Sequence, residues 1–219
     1  MSSTGIKYDQ GSLLEIDKIS KNQLKLENLK TKLGTCTECS LCFTANRSSD
    51  PVHTGNLHHI DLMLVGEAPG KEEDKGGRPF IGQAGQLLQQ ILVEINFTKN
   101  LYVTNVVKHR PPKNRKPTIE EAKTCGTLFL EKEIALIKPK TIVCLGRAAA
   151  EYFLLQKFGV LPKGSLRGRS FLFNDITVFC TWHPAYILRQ MNKKDELAND
   201  LLQIKNYLLE RKHEQRQFV

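Results

Sequence analysis

Three polar side chains, each placed just after a short hydrophobic run, have types that could act together on one small ligand. Glu67 follows the run over residues 62–65, Asn105 closes a second run, and His183 follows a third. A carboxylate can orient water, a carboxamide offers a donor and an acceptor, and an imidazole can donate to developing negative charge. Ligands of open α/β sheets bind beyond the carboxyl ends of the strands. The sequence therefore predicts one pocket that all three side chains line.

The cysteines form a second group with chemical potential. Three of the six have C-x-x-C-x-x-C spacing: Cys36, Cys39 and Cys42. This spacing lets neighbouring thiolates reach one metal centre, and in an intracellular protein such a group is more often a metal site than a disulfide framework. Further ligands must come from far along the chain, where His109 and Cys125 are the candidates. The remaining two lie in apolar runs and are expected in the core: Cys144 and Cys180.

Length and composition limit the class of protein. A chain of 219 residues can bury one substantial core, so we expect a single domain over residues 36–210, flanked by a tail with helices over 1–35 and a polar tail over 211–219. No apolar run reaches ~18 residues and no signal-peptide pattern opens the chain, which predicts a soluble, cytoplasmic protein with no membrane partner. The formal net charge of +9 suits a polyanionic partner such as nucleic acid.

The elements that must position these residues alternate between strand and helix. Apolar spacing predicts one or two amphipathic helices over residues 12–33, and Thr118 with Glu121 forms a capping box that opens a further helix. The remaining expected elements are a strand at 140–145, a helix from Gly146 to about residue 158, a hairpin about Asn174 and Asp175, and a closing helix at 195–209. The alternation predicts an α/β fold, a three-layer α/β/α sandwich with a central, mainly parallel sheet.

Five motifs in a fixed order carry a resemblance to a known family. They are GEAPGKEED, GRPFIGQAGQLL, TNVVK, KPKTIVCLG and HPAYILR, and they lie between Cys36 and Arg189. Together they resemble the iron–sulfur uracil-DNA glycosylases, family 4 of that superfamily. One departure stands out, because His109 occupies a position at which the family has cysteine.

The resemblance implies a DNA-repair enzyme, one that flips deoxyuridine out of DNA and hydrolyses its N-glycosidic bond to initiate base-excision repair. It implies a monomer near the nucleoid, with uracil-containing DNA as its partner. Glu67 and His183 would be catalytic, Glu67 by orienting water or stabilising the sugar cation and His183 by donating to uracil O2. The uracil pocket would comprise these two together with Ala68, Glu73, Phe80 and Asn105. In it Phe80 would stack on the base, Asn105 would read its edge, and Glu73 would exclude the methyl group of thymine.

The resemblance also implies the DNA contacts. Residues 184–189 resemble a minor-groove loop in which Tyr186, Ile187 or Leu188 fills the vacated stack and Arg189 binds phosphate. Basic residues after Asn105 would meet other phosphates: Lys108, Arg110, Lys113, Arg115 and Lys116.

In the family, four cysteines hold a [4Fe–4S] cluster, and they correspond here to Cys36, Cys39, His109 and Cys125. Imidazole can ligate cluster iron, which makes His109 a plausible fourth ligand. Three alternatives stand beside it: Cys42 takes its place, the cluster has only three protein ligands, or the site is empty or holds zinc.

Two other functions compete with excision. A relative in this superfamily traps DNA covalently through a histidine on an inserted basic loop, and this chain has the histidine after NVVK but lacks the insertion. The other competitor is a non-catalytic or polymerase-associated DNA-binding module that retains the pocket.

Overall fold

The structure of this protein is a computed structural model that describes residues 10–217, and the side chains of residues 21–214. The predicted tail over residues 1–35 begins with residues 1–9, which lie outside the described residues. Within the described residues, no helix combines the length and the apolar character that crossing a bilayer requires.

The described chain alternates helices and strands around one sheet. In chain order, the elements are α1 (Gln10–Gly34), β1 (Val52–His53), β2 (Leu62–Gly66), α2 (Lys71–Gly76), α3 (Gln83–Glu94), β3 (Leu101–Asn105), α4 (Ile119–Cys125), α5 (Glu131–Ile137), β4 (Thr141–Leu145), α6 (Arg147–Phe158), β5 (Ser170–Phe173), β6 (Ile176–Thr181), α7 (Pro184–Arg189) and α8 (Lys194–Gln217). A π turn, Gly126–Leu130, joins α4 to α5.

The sheet confirms the predicted fold class. Its strand order is β1-β3-β2-β4-β6-β5, with the four central strands parallel and only the two edge strands antiparallel. Because the central strands are parallel, β2, β3, β4 and β6 all end at the same edge of the sheet. That edge is where the three polar side chains of the predicted pocket leave their strands.

Both faces of the sheet are covered, which explains why the central strands are apolar throughout rather than alternating. Along β2, Met63 and Val65 face a core built with α1, α4, α5 and α6, whereas Leu62 and Leu64 face a second core built with α3, α7 and α8. Every residue of β2 is buried. Each such side chain contributes about 1.5–3 kcal/mol through removal from water, so the strand that carries the pocket is firmly anchored.

Several predicted elements are confirmed in detail. Thr118 caps α4 by accepting from the Glu121 N–H, and the Glu121 carboxylate accepts from the Thr118 N–H. The hairpin between β5 and β6 turns at Asn174 and Asp175, both in the left-handed region, as a two-residue turn requires. The two cysteines assigned to the core, Cys144 and Cys180, are buried in neighbouring strands.

Two elements differ from prediction, whereas the amino-terminal segment forms one helix, α1, which is one of the two predicted outcomes. The closing helix runs to Gln217 rather than ending near residue 209. Residues 184–189, predicted as a loop, form the short helix α7. Pro184 at its first turn and the His183 side chain at its N-cap both favour that helix start.

Candidate active site

The structure brings the three strand-end side chains to one cavity. Glu67, Asn105 and His183 line a space of about 460 Å³ at the carboxyl edge of the sheet. Glu67 directly follows β2, Asn105 is the last residue of β3, and His183 lies two residues after β6. The other residues assigned to the pocket also line it: Ala68, Glu73 and Phe80.

The side-chain oxygen of Asn105 lacks a hydrogen-bond donor in the described part of the chain. Its side chain is buried, and its Oδ1 accepts no hydrogen bond from the described residues. A buried polar atom left unpaired costs about 1–3 kcal/mol, so this oxygen favours a cavity occupant that donates a hydrogen bond to it. Gly66 faces Asn105 across the β2–β3 pair, and a Cβ at Gly66 would lie 2.3 Å from Oδ1. Only glycine lets the carboxamide occupy this position.

Phe80 forms a wall of the cavity in a constrained backbone conformation. Its φ is +55°, a region that non-glycine residues rarely adopt. Its ring lies 5.8 Å from the His183 ring, centroid to centroid, with the planes inclined by 30°. A Cβ at Gly85 would lie 1.7 Å from the Phe80 carbonyl oxygen, so this glycine permits the bend. The bend holds an aromatic face beside the imidazole.

His183 is held as a neutral imidazole with a defined tautomer. Its Nδ1 accepts from the Ala185 N–H at 3.1 Å, so in the neutral ring the proton is on Nε2. Burial, helped by the nearby Arg189, lowers the pKa of His183 to about 4. Gly146, at φ +89°, leaves room for the ring, because a Cβ there would lie 2.8 Å from the His183 Cβ. At neutral pH the side chain is therefore an uncharged donor.

Glu67 is a carboxylate without a dedicated partner. No described side chain or backbone group donates a hydrogen bond to its carboxylate, and only its main-chain oxygen is engaged, by the Val107 N–H at 3.2 Å. Burial raises the pKa of Glu67, an effect that the positive Lys116 opposes and the negative Glu151 reinforces. A half-buried acid with a raised pKa and free oxygens is suited to holding a water molecule.

The other two acids of this region are braces. Glu73 lines the cavity, but its two oxygens accept from the Gly70 N–H at 3.1 Å and the Gly82 N–H at 2.8 Å, which fixes the loop around α2. Asp74 is buried and accepts from the Asn46 N–H at 2.8 Å, so it too braces a loop. Neither acid keeps free oxygens for chemistry.

The rim of the cavity contains three of the residues predicted to meet DNA. Arg115, Tyr186 and Arg189 line it, and Leu188 is exposed nearby on α7. Ile187 is completely buried and cannot fill a vacated stack in DNA. Arg110 lies outside the lining set and donates to the Asn114 Oδ1 at 2.7 Å.

The prediction that Lys108 contacts DNA is wrong. Its side chain is 0% exposed and its Nζ lies 2.7 Å from Glu133 Oε1, inside the domain. A lysine after a strand in a basic loop is expected at the surface, and only the fold places a carboxylate opposite it. A phosphate cannot reach this ammonium group.

The cysteines assigned to a metal site lie near one another. Cys125 accepts from the Lys108 N–H at 3.3 Å, and burial raises its pKa to about 12, with smaller effects from Cys39 and Cys36. Burial likewise raises the pKa of Cys39, and Cys36 and Cys42 add to it. Among the described residues no three acidic, His or Cys side chains converge on a single metal ion. Buried thiols that resist ionisation fit a group whose positive charge would stabilise their thiolates.

His109 and Cys42, the rival candidates for the fourth ligand, differ in their surroundings. His109 is buried and burial lowers its pKa, which favours the neutral ring that a metal ligand requires. The Cys42 thiol instead donates to the Cys39 carbonyl at 2.9 Å. His109 thus presents a neutral ring, whereas the Cys42 thiol has a backbone partner.

Sequence reasoning missed the residues that shape the cavity without contacting a base. Asn114 lines it with φ +57°. Lys116, which the sequence predicts only as a phosphate contact, also lowers the pKa of Glu67 while it pairs with Glu151. The sequence carries one signal of how the cavity is shaped, which is the glycine after two of the hydrophobic runs. These glycines, Gly66 and Gly146, leave space for Asn105 and His183.

Comparison with known proteins agrees with this geometry. A family model described as the uracil DNA glycosylase superfamily matches residues 52–204. A type-4 uracil-DNA glycosylase of Thermotoga maritima is 41% identical over 180 residues, which cover 81% of this chain and 90% of that protein. The type-4 uracil-DNA glycosylase of Sulfurisphaera tokodaii is 38% identical over 190 residues, 82% of this chain and 83% of that protein. The type-4 uracil-DNA glycosylase of Archaeoglobus fulgidus is 35% identical over 185 residues, which cover 82% of this chain and 91% of that protein.

Proposed function

Because this chain belongs to the type-4 uracil-DNA glycosylases, within the uracil DNA glycosylase superfamily, we propose that it excises uracil from DNA by hydrolysing the N-glycosidic bond of a flipped deoxyuridine. The product is an abasic site, the first intermediate of base-excision repair. The observation that carries the proposal is the buried, unpartnered Oδ1 of Asn105 in a cavity that His183 and Glu67 share.

Asn105 reads the base. Its Oδ1 accepts from uracil N3–H, and its Nδ2 donates to uracil O4. Cytosine presents an acceptor and a donor at these positions, so both contacts would become mismatches. Leaving buried polar groups unpaired is a strong means of rejecting a wrong ligand.

His183 stabilises the departing base. As the glycosidic bond lengthens, negative charge builds on the uracil ring, and the Nε2–H donates to O2 where that charge develops. The neutral ring supports this assignment, because the Nδ1 contact to the Ala185 N–H keeps the proton on Nε2. Phe80, beside His183, offers a face on which the extruded base stacks.

Glu67 orients the water that attacks C1′ and tolerates the positive charge that develops on the sugar. Its free oxygens and its place after β2 support this role. Ala68 and Glu73 complete the wall, and Glu73, fixed by two backbone amides, excludes the methyl group of thymine. A braced wall rejects a larger base better than a mobile one.

The rim binds the DNA backbone. Arg110, Arg115 and Arg189 meet phosphates, and Tyr186 or Leu188 fills the space that the flipped nucleotide leaves. The net charge of +9 supports a polyanionic partner. We propose that the protein acts as a monomer on nucleoid DNA in the cytoplasm.

Four residues would hold a [4Fe–4S] cluster in this proposal: Cys36, Cys39, His109 and Cys125. When bound, it supplies a cross-link between the amino-terminal segment and the loop after Asn105, with no part in the hydrolytic step. His109→Ala should release iron, whereas Cys42→Ala should not, as measured by iron and sulfide content and by visible absorption. An iron-loaded His109→Ala protein would assign the fourth ligand elsewhere.

Excision is tested with a duplex that contains one deoxyuridine. Incubation followed by alkali should cut the strand at that position, and an identical duplex with thymine should remain intact. No scission, when a control glycosylase cuts the same duplex, would defeat the proposal and favour a DNA-binding module. Denaturing gels of the same reaction also test covalent trapping, since an adduct that survives detergent would identify the trapping activity instead.

A further inference from the structure

Lys108 lies behind the pocket, three residues after Asn105, and its ammonium group is fully satisfied inside the protein. Nζ donates to the Asn105 main-chain oxygen at 3.0 Å, to Glu133 Oε2 at 2.9 Å and to the Thr104 Oγ1. Lysine has three N–H donors, and all three are used. The Thr104 hydroxyl in turn donates to Glu133 Oε2 at 2.9 Å.

Burying this pair of charges is costly and needs an explanation. Lys108 is 0% exposed and Glu133 is 3% exposed. A buried ion pair rarely stabilises a fold more than apolar side chains of the same shape would, because both ions lose their hydration. Such pairs are understood where they fix one specific arrangement. The arrangement fixed here is the end of β3, where Asn105 turns its carboxamide into the cavity.

The main chain of Lys108 makes a second contact with the interior of the protein. Its backbone N–H donates to Cys125 Sγ at 3.3 Å. Cys125 is the last residue of α4, and Glu133 lies in α5, beyond the π turn that joins the two. Lys108 thus touches both helices, one through its main chain and the other through its side chain.

The π turn explains how the two contacts face the same way. Glu133 lies eight residues after Cys125, which in an uninterrupted α-helix is a rotation of about 800°, or about 80° past two turns. A π turn accommodates one extra residue, which leaves about 700°, within about 20° of two full turns. Both side chains therefore point at Lys108.

We propose that Lys108 is a positioning residue for base recognition, one that acts through Asn105 and links it to the cysteine-bearing helix. It touches neither DNA nor base. With Glu133 and Thr104 it holds the Asn105 backbone, so that Oδ1 stays fixed and unpaired until uracil supplies a donor. This inference rests on the proposed function of Asn105 as the residue that reads uracil.

Neutral replacements test the inference without leaving a buried charge alone. The variant combines Lys108→Met with Glu133→Gln, which keeps the size of both side chains. Because a displacement of about 1 Å in a reacting group can slow chemistry on the order of 10²-fold, single-turnover excision well below the unfolding temperature should fall by 10- to 100-fold. Affinity for undamaged duplex and the salt dependence of that affinity should stay at the wild-type values, since Lys108 is enclosed.

A second pair of variants guards against loss of the fold. Thr104→Val removes the hydroxyl that joins Lys108 to Glu133, and Thr104→Ser restores it on a smaller side chain. Thr104→Ser should excise faster than Thr104→Val even where both lower the unfolding temperature equally. Lys140→Met breaks a different lysine–carboxylate pair, with Asp61 at the far end of the sheet, and should leave the rate unchanged.

The outcomes separate this inference from the proposed function. Active wild type with a slowed double variant and unchanged binding to undamaged DNA supports it. If the wild type is active and both the double variant and Thr104→Val excise uracil at the wild-type rate, the positioning role is overturned. The proposed function then still stands. Weakened binding to undamaged DNA with a reduced salt dependence also overturns it, because Lys108 would then be a phosphate ligand. Inactive wild type overturns the proposed function itself, and this inference with it.

Discussion

The two ends of β2 each carry an acid, and the two acids are treated in opposite ways. Asp61 precedes the strand and is surrounded by donors: Lys140 at 2.8 Å, Lys212 at 2.8 Å and Asn100 at 3.1 Å. Burial alone would raise the pKa of Asp61, but these hydrogen bonds hold it below its usual value. Glu67, after the strand, receives no hydrogen bond from the described residues, and burial raises its pKa.

The difference separates a structural end of the sheet from a functional one. At the amino end the buried carboxylate of Asp61 has three partners within the fold, which is how a protein gains stability from polar groups. At the carboxyl end, Glu67, Asn105 and His183 line one cavity, and each presents an atom that no described residue bonds, so these atoms are available to a ligand. Polar groups that lack hydrogen-bond partners and line one cavity are a physical sign of a binding site.

His183→Ala should cause the largest loss of excision rate. A smaller loss would contradict the assignment of the carboxyl end of the sheet as the functional end. Removing a donor aimed at developing negative charge costs about 2.7–4 kcal/mol in transition-state stabilisation, or roughly 10²- to 10³-fold in the rate of excision. Binding to undamaged DNA should change little. Single-turnover kinetics with excess enzyme measure the rate, with His53→Ala, an exposed histidine of edge strand β1, as the control. A loss confined to binding would contradict the role.

Asn105→Asp should have the next largest effect. It replaces the Nδ2 donor with an acceptor, which faces uracil O4 unfavourably. The activation free energy of uracil excision should therefore rise by about 1–3 kcal/mol. Some recognition of cytosine should appear, because the amino group of cytosine can then donate to the new oxygen. Competition between uracil- and cytosine-containing duplexes measures this selectivity, and wild-type activity with wild-type selectivity would refute the assignment.

The acid side of the pH profile should sharpen the contrast between Glu67 and His183. His183 has a pKa of about 4, so it stays neutral above that pH and contributes no transition near 6.5. Glu67 has a raised pKa and works as the anion, so the excision rate should fall as the pH drops through that pKa. Glu67→Gln should lower the rate and remove that transition. A transition that persists in Glu67→Gln would belong to another group.

Asp61→Asn should show the smallest effect on chemistry and a clear effect on stability. Losing a carboxylate that accepts three hydrogen bonds should lower the free energy of unfolding by about 1–3 kcal/mol at neutral pH. The pKa of Asp61 is lower in the folded protein, so its contribution is full above the unfolded pKa and is lost as the pH falls through the folded pKa. Chemical denaturation at pH 7 and in acid tests this, and a tenfold change in excision rate would remove the distinction between the two ends.

Much of the pocket could be predicted because its information is local. Strands of unbroken apolar residues, each ending in glycine or a polar residue, place Glu67, Asn105 and His183 at one edge of a parallel sheet. The cap at Thr118 and the turn at Asn174 and Asp175 likewise depend on neighbours in sequence. These elements formed as predicted because no distant contact opposes them.

The errors arise where distant residues decide. Nothing near Lys108 in the sequence indicates that Glu133, beyond a π turn, lies opposite its ammonium group, so the sequence alone predicts a surface lysine. Residues 184–189 were assigned to a loop, although the N-cap His183 and the apolar contacts of Ile187 make them helical. The closing helix continues past residue 209 because no glycine or proline follows to end it.

A structure of the protein with free uracil tests the central claim most directly. Uracil should lie in the cavity with its N3–H at hydrogen-bonding distance from Asn105 Oδ1, its O2 at that distance from His183 Nε2, and its ring against Phe80. That result would satisfy the one buried carboxamide oxygen that the described fold leaves without a donor. Uracil bound elsewhere, or bound here with Asn105 Oδ1 still unpaired, would contradict the account.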